Sequence, residues 1–190
     1  MTQAAESGSY YGRPVLKEPA WKVHDVTLYL LLGGMAGASS VLGAAADLTG
    51  RRELARVARV TAGASALGGV AALIHDLGRP GRFLNMLRVF KPTSPLSVGS
   101  WTLASYGPMA GAAAVSELSG VAPLVGRAAG VGAAVLGPVL TTYTAVLIAD
   151  TAVPAWHEAC PELSFAFGGS AVAAAAGVAL AAAPLAEVGP

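Results

Sequence analysis

Five long apolar stretches constrain this chain more than any other feature. A helix needs about 20 mostly apolar residues to cross the hydrocarbon core of a bilayer, and five segments meet that length: Val26 to Ala46, Leu54 to Ile74, Val98 to Val115, Pro123 to Ala149 and Leu163 to Leu185. Apolar runs of this length predict an all-α integral membrane protein with five spans, because only helices and closed barrels satisfy their own backbone in lipid. The spans are rich in Ala and Gly. Small-xxx-small spacings such as Gly33 to Gly37 and Gly126 to Gly130 allow close backbone approach, which predicts a tightly packed bundle. Gly107-Pro108 and Gly137-Pro138 interrupt the third and fourth spans. Each Pro frees a carbonyl and permits a kink, although Pro is also ordinary in membrane helices.

Composition supports the membrane setting and excludes several functions. Of 190 residues, 54% are hydrophobic and 12% charged, against the roughly 25% charged of a soluble domain. The net charge is +1, and the basic residues are too dispersed for a groove that tracks phosphates. The start, "MTQAAESGSYYGRPVLKEPAWK", lacks the apolar core and cleavage site of a signal peptide, so residues 1–22 read as an N-terminal arm. Cys160 is the single cysteine. One thiol forms no intramolecular disulfide and holds neither zinc nor an iron–sulfur cluster alone, so any metal redox centre is expected on another chain.

With five spans, one face carries the N-terminal arm and the 75–97 and 150–162 loops. It has seven Lys or Arg, against Arg51, Arg52, Arg56, Arg59 and Arg127 on the other. Arg56 and Arg59 are expected to snorkel to the interface from the entry of the second span. The positive-inside rule barely chooses between the faces. If Arg79, Arg82, Arg88 and Lys91 serve function and not topology, the remaining count places the first face outside. That face gathers the chemistry: His24, Asp25, His75, Asp76, Arg79, Arg82, Arg88, Lys91, Asp150, His157 and Glu158. Asp76 and Arg79 are close enough to pair if the helix persists until Pro80. Asn85 to Trp101 is too polar to span and too apolar for a free loop, which reads as an interfacial segment over the bundle mouth.

The block "HDLGRPGRFLNMLRVFKPTSPLSVGSW", with "YLLLGGMAGASS" in the first span and "YTAVLIADTAVPAW" at the end of the fourth, resembles the NrfD-like family, the membrane subunits of polysulfide-reductase-type complexes. The resemblance implies an N-terminal four-helix transmembrane bundle over 23–160, with the interfacial segment at 77–97. It makes 161–190 a fifth helix that starts a second bundle, since family members usually have eight to ten helices. It also implies a quinone-reactive subunit without complete activity of its own, multi-pass in a bacterial inner membrane. The expected cofactor is menaquinone or ubiquinone, with no haem or metal on this chain. The expected partners are a ferredoxin-like subunit with four-iron clusters, docking near Arg79, Arg82, Arg88 and Lys91, and through it a molybdopterin catalytic subunit.

Carried over by motif, a Tyr late in the fourth helix ahead of Pro-x-Trp hydrogen-bonds the quinone; Tyr143 matches it, ahead of Pro154 and Trp156. His24, Asp25 and Tyr29 stand where the family has a polar pair at the start of the first helix, without an identical arrangement. Asp76 and Arg79 match its acidic residue and Arg at the end of the second, and His75 and Asp150 lie at the same mouth. Elementary chemistry asks for the same groups. Quinone turnover moves two electrons and two protons, so the headgroup needs hydrogen-bond partners and a path to water. A phenol, an imidazole and a carboxylate supply both. Tyr143 lies two turns inside Asp150 along its helix. Competing readings are a haem b-bearing quinone subunit using His24 and His75, an alternative-complex-III-type membrane subunit, and a transporter or structural anchor. The last is disfavoured by the lack of an inverted repeat.

Overall fold

The computed structural model describes residues 23–77, 81–150 and 153–186, and within them every regular element is helical. The arm at 1–22 and Arg79 lie outside the described residues, as does the side chain of Arg82. Five helices are long: α1 (Val23–Leu48), α2 (Arg52–Asp76), α4 (Pro95–Ser119), α5 (Pro123–Ala149) and α7 (Cys160–Ala186). Two are short, α3 (Gly81–Asn85) and α6 (Pro154–Glu158). Proline opens α4, α5 and α6 in the first turn, where its missing N–H costs nothing. Tight turns join the long helices on one face. Gly50, at φ 73°, turns α1 into α2, and Gly120, at φ 70°, ends α4 three residues before α5 starts, both in the left-handed region that suits glycine.

Short connections force antiparallel neighbours, and the packing closes into a ring: α1 on α2, α2 on α4, α4 on α5, α5 on α1. α7 lies outside it, against α1 and α5 and more lightly against α2. The core is mostly alanine, with Tyr29, Leu103, Tyr106, Leu140 and Tyr143 as its large members. Small residues set the crossing of α1 and α5. A Cβ on either Gly37 or Gly137 would sit 2.5 Å from the other's carbonyl oxygen, so only glycine permits this approach. Pro108 and Pro138 both lie inside unbroken helices. After Pro138, the hydroxyls of Thr141 and Thr142 each donate to its carbonyl at 2.8 Å.

Four helices, α1, α2, α5 and α7, are long and apolar enough to cross a membrane. The sequence also marks Val98 to Val115 as a span. Its helix, α4, is 25 residues long, but Ser97, Ser100, Thr102 and Ser105 along it reduce its apolar character. Between α2 and α4, the expected interfacial segment contains the single turn of α3 and then irregular chain up to Ser94. There Phe90 meets Trp101 edge to face at 6.1 Å. The Ser97 hydroxyl donates to the Val89 carbonyl and accepts from the Lys91 N–H, so this connection is pinned to the first turn of α4.

Candidate functional site

At the first face, the helix starts of α1 and α4 meet the ends of α2 and α5. Tyr29 lies six residues into α1 and Tyr143 six residues before the end of α5. A rise of 1.5 Å per residue puts both about 9 Å inside the bundle from this face. Both rings belong to the core, Tyr29 being 7% exposed and Tyr143 8%. Glycines make room for them. Tyr29 packs against α2 at Gly69, and the Tyr143 ring occupies the space that a side chain on Gly99 of α4 would need.

The hydroxyls separate these two from the third core tyrosine. Tyr106 donates to the Ala36 carbonyl at 2.6 Å and shares a 2.6 Å hydrogen bond with Ser40, so its polar end is fully engaged. Tyr29 and Tyr143 make no hydrogen bond among the described residues, yet no side-chain polar atom there is both sealed and unpaired. Both phenol oxygens therefore keep some exposed surface. A tyrosine whose ring is buried usually finds a partner for its hydroxyl, and among the described residues these two have none.

One turn outward from Tyr29 on the same helix, Asp25 meets His75 of α2, with 2.7 Å between Oδ2 and Nδ1. The Asp25 side chain is 18% exposed and that of His75 74%. The pair therefore links the core side of the mouth to water. Asp76, half-buried, is the last residue of α2. Asp150 is exposed at the C-cap of α5. His24 points to the exposed side of α1 and joins no polar contact with the other candidates among the described residues. The expected partner of Asp76, Arg79, lies outside the described residues, and Arg88 and Lys91 are exposed. His157, which reads in sequence as a simple loop residue, donates from Nδ1 to the Ala149 carbonyl at 3.1 Å. This covers a carbonyl that the end of α5 leaves open.

A second polar cluster, not anticipated from sequence, lies near the opposite face. Arg59 does not snorkel to the interface as the sequence predicts. Its side chain is 9% exposed and bridges Asp47, at the end of α1, and Glu117, near the end of α4, the latter at 2.6 Å. Gly130 of α5 gives its guanidinium room. A cavity of about 10 Å³ beside Arg59, reaching Ser40, is at the lower limit for one water molecule. The signal was present in the sequence, as two lone carboxylates at the ends of apolar helices, but their convergence depends on the ring.

A family profile described as "Polysulphide reductase, NrfD" matches residues 17–187. No curated protein and no solved structure matches the chain.

Proposed function

The chain belongs to the polysulphide reductase NrfD family, a multi-pass membrane subunit of a polysulfide-reductase-type oxidoreductase, and on that footing we propose that it exchanges electrons with membrane quinone. The observation that carries this reading is the pair of core phenols, Tyr29 and Tyr143, whose hydroxyls have no partner among the described residues and keep some exposed surface. A quinone has two carbonyl oxygens and a flat apolar ring, and phenol donors on two helices that pack together, α1 and α5, suit it. The quinone supplies the two-electron chemistry that no residue of this chain can. Tyr143 and Tyr29 hold and orient the headgroup, while the packed core excludes water from it. Asp25 and His75 hold a proton between them at Oδ2 and Nδ1 and exchange it with water through the exposed imidazole. Asp150 offers a second carboxylate at the same face.

Electrons enter from a partner, since a lone cysteine holds no cluster. A ferredoxin-like iron–sulfur subunit docks over the mouth at Arg88 and Lys91, with Arg79 and Arg82 expected from sequence to join them, and connects to a molybdopterin catalytic subunit. In this reading α4 is the fifth span, and the protein resides in a bacterial inner membrane. The test substitutes Tyr143→Phe in the assembled complex. Cluster reduction or oxidation by the partner's substrate should continue at the wild-type rate. Affinity for a soluble quinone analogue should fall about three- to tenfold, the loss of one neutral hydrogen bond of about 0.5–1.5 kcal/mol. Wild-type quinone exchange in Tyr143→Phe and in Tyr29→Phe alike would overturn the assignment.

A further inference from the structure

α7 does not seal against the ring. A groove of about 470 Å³ runs between α1, α5 and α7, and a second, of about 770 Å³, continues between α7 and the start of α2. Leu42 and Ala176 line both stretches, so the two form one channel along the outside of the molecule. On α7 it extends from Gly168 to Ala183, roughly 22 Å at the rise of an α-helix, which exceeds the depth of one leaflet of a core about 30 Å thick. Its walls are apolar almost throughout, with Val57 and Leu180 typical.

The channel is charged at one end only. Arg51 and Glu53 line it there, where α1 turns into α2, and Arg52 and Arg56 are exposed beside them. None of these three arginines has a carboxylate within ion-pair distance among the described residues; Asp47, the other nearby acid, is committed to Arg59. Three cations against the single carboxylate of Glu53 leave a local excess of positive charge at the foot of an apolar channel.

We infer that this channel binds an anionic phospholipid, with the phosphate at Arg51 and Arg52 and an acyl chain laid along α7 beneath Leu42 and Ala176. Charge selects this occupant. A prenyl chain or a bare apolar helix would fill the walls but bring nothing to the arginines, whereas a phosphate meets them directly. The polarity also separates this ligand from the quinone, whose proposed headgroup site is at the opposite face.

Native mass spectrometry on the full chain, released from nanodiscs holding equal phosphatidylglycerol and phosphatidylethanolamine, tests the inference. The wild type should retain phosphatidylglycerol in preference. Each arginine near a charged lipid surface is worth about 1 kcal/mol, roughly fivefold in affinity, so Arg51→Ala should reduce the preference about fivefold and Arg51→Ala with Arg52→Ala about 25-fold. Ala176→Trp, at an exposed position, should block the channel and remove both lipids without disturbing the core. Equal retention of the two lipids by the wild-type chain overturns the inference without reference to any variant. So does a channel filled by copurifying quinone, or by a second copy of the chain that displaces lipid as dimer forms.

Discussion

At the scale of single residues, glycine positions decide what the aromatic side chains can do. Gly99 leaves the space that the Tyr143 ring fills, so Gly99→Ala should drive the ring out of the core. Overpacking of this kind costs about 1–3 kcal/mol. We expect a lower melting temperature in detergent together with a loss of quinone-analogue affinity at least as large as in Tyr143→Phe; unchanged affinity would mean that the ring position is irrelevant to the ligand. Tyr106 provides the contrast. Its hydroxyl already serves Ala36 and Ser40, so Tyr106→Phe should cost about 0.5–1.5 kcal/mol of stability and leave quinone exchange untouched. A stability assay paired with an exchange assay separates the two tyrosine roles.

Between elements, two devices hold the ring, and they differ in kind. The crossing of α1 and α5 rests on close backbone approach at Gly37 and Gly137, a contact that depends on dispersion and not on charge. The ends of α1, α2 and α4 are tied instead by Arg59 between Asp47 and Glu117. Removing the guanidinium leaves two carboxylates facing each other at the edge of an apolar core. Both carboxylates keep partial contact with solvent, so the loss should be smaller than for a sealed pair, about 2 kcal/mol. Arg59→Met should therefore destabilise the protein more than Glu117→Gln, which leaves the Asp47 pair in place. Thermal unfolding in detergent ranks the two variants, and the reverse order would show that the cluster is not held by its cation.

For the whole molecule, the number of spans turns on α4, which has the length to cross and the packing of a ring member but carries Ser97, Ser100, Thr102 and Ser105 in its first half. If α4 crosses, Leu48 and Val121 lie on one side of the membrane and Val89 and Asp150 on the other. In a Cys160→Ser background, single cysteines at Leu48 and Val121 should be labelled by an impermeant maleimide from the same side, and one at Val89 from the opposite side. Labelling of Val121 and Val89 from the same side would remove α4 from the set of spans. The antiparallel order of the ring makes this a direct consequence of the fold.

Periodicity had no part in what was legible from sequence; length did. Apolar runs too long for a soluble core dictated helices at nearly their observed bounds, because an unsatisfied backbone in lipid is so costly that local composition alone selects the helix. The motif around Tyr143 likewise marked a residue that lies in the core, as many residues from its helix end as Tyr29 is from its own. Other features depended on which helix faces which. Arg59 reads as a flanking cation until α1 and α4 bring Asp47 and Glu117 to it, and Tyr106 resembles Tyr143 in sequence until Ser40 and Ala36 occupy its hydroxyl. The Asp25–His75 pair joins residues 50 positions apart. Local sequence determines whether a segment can live in a membrane; only the ring determines which polar ends are satisfied within the protein and which are not.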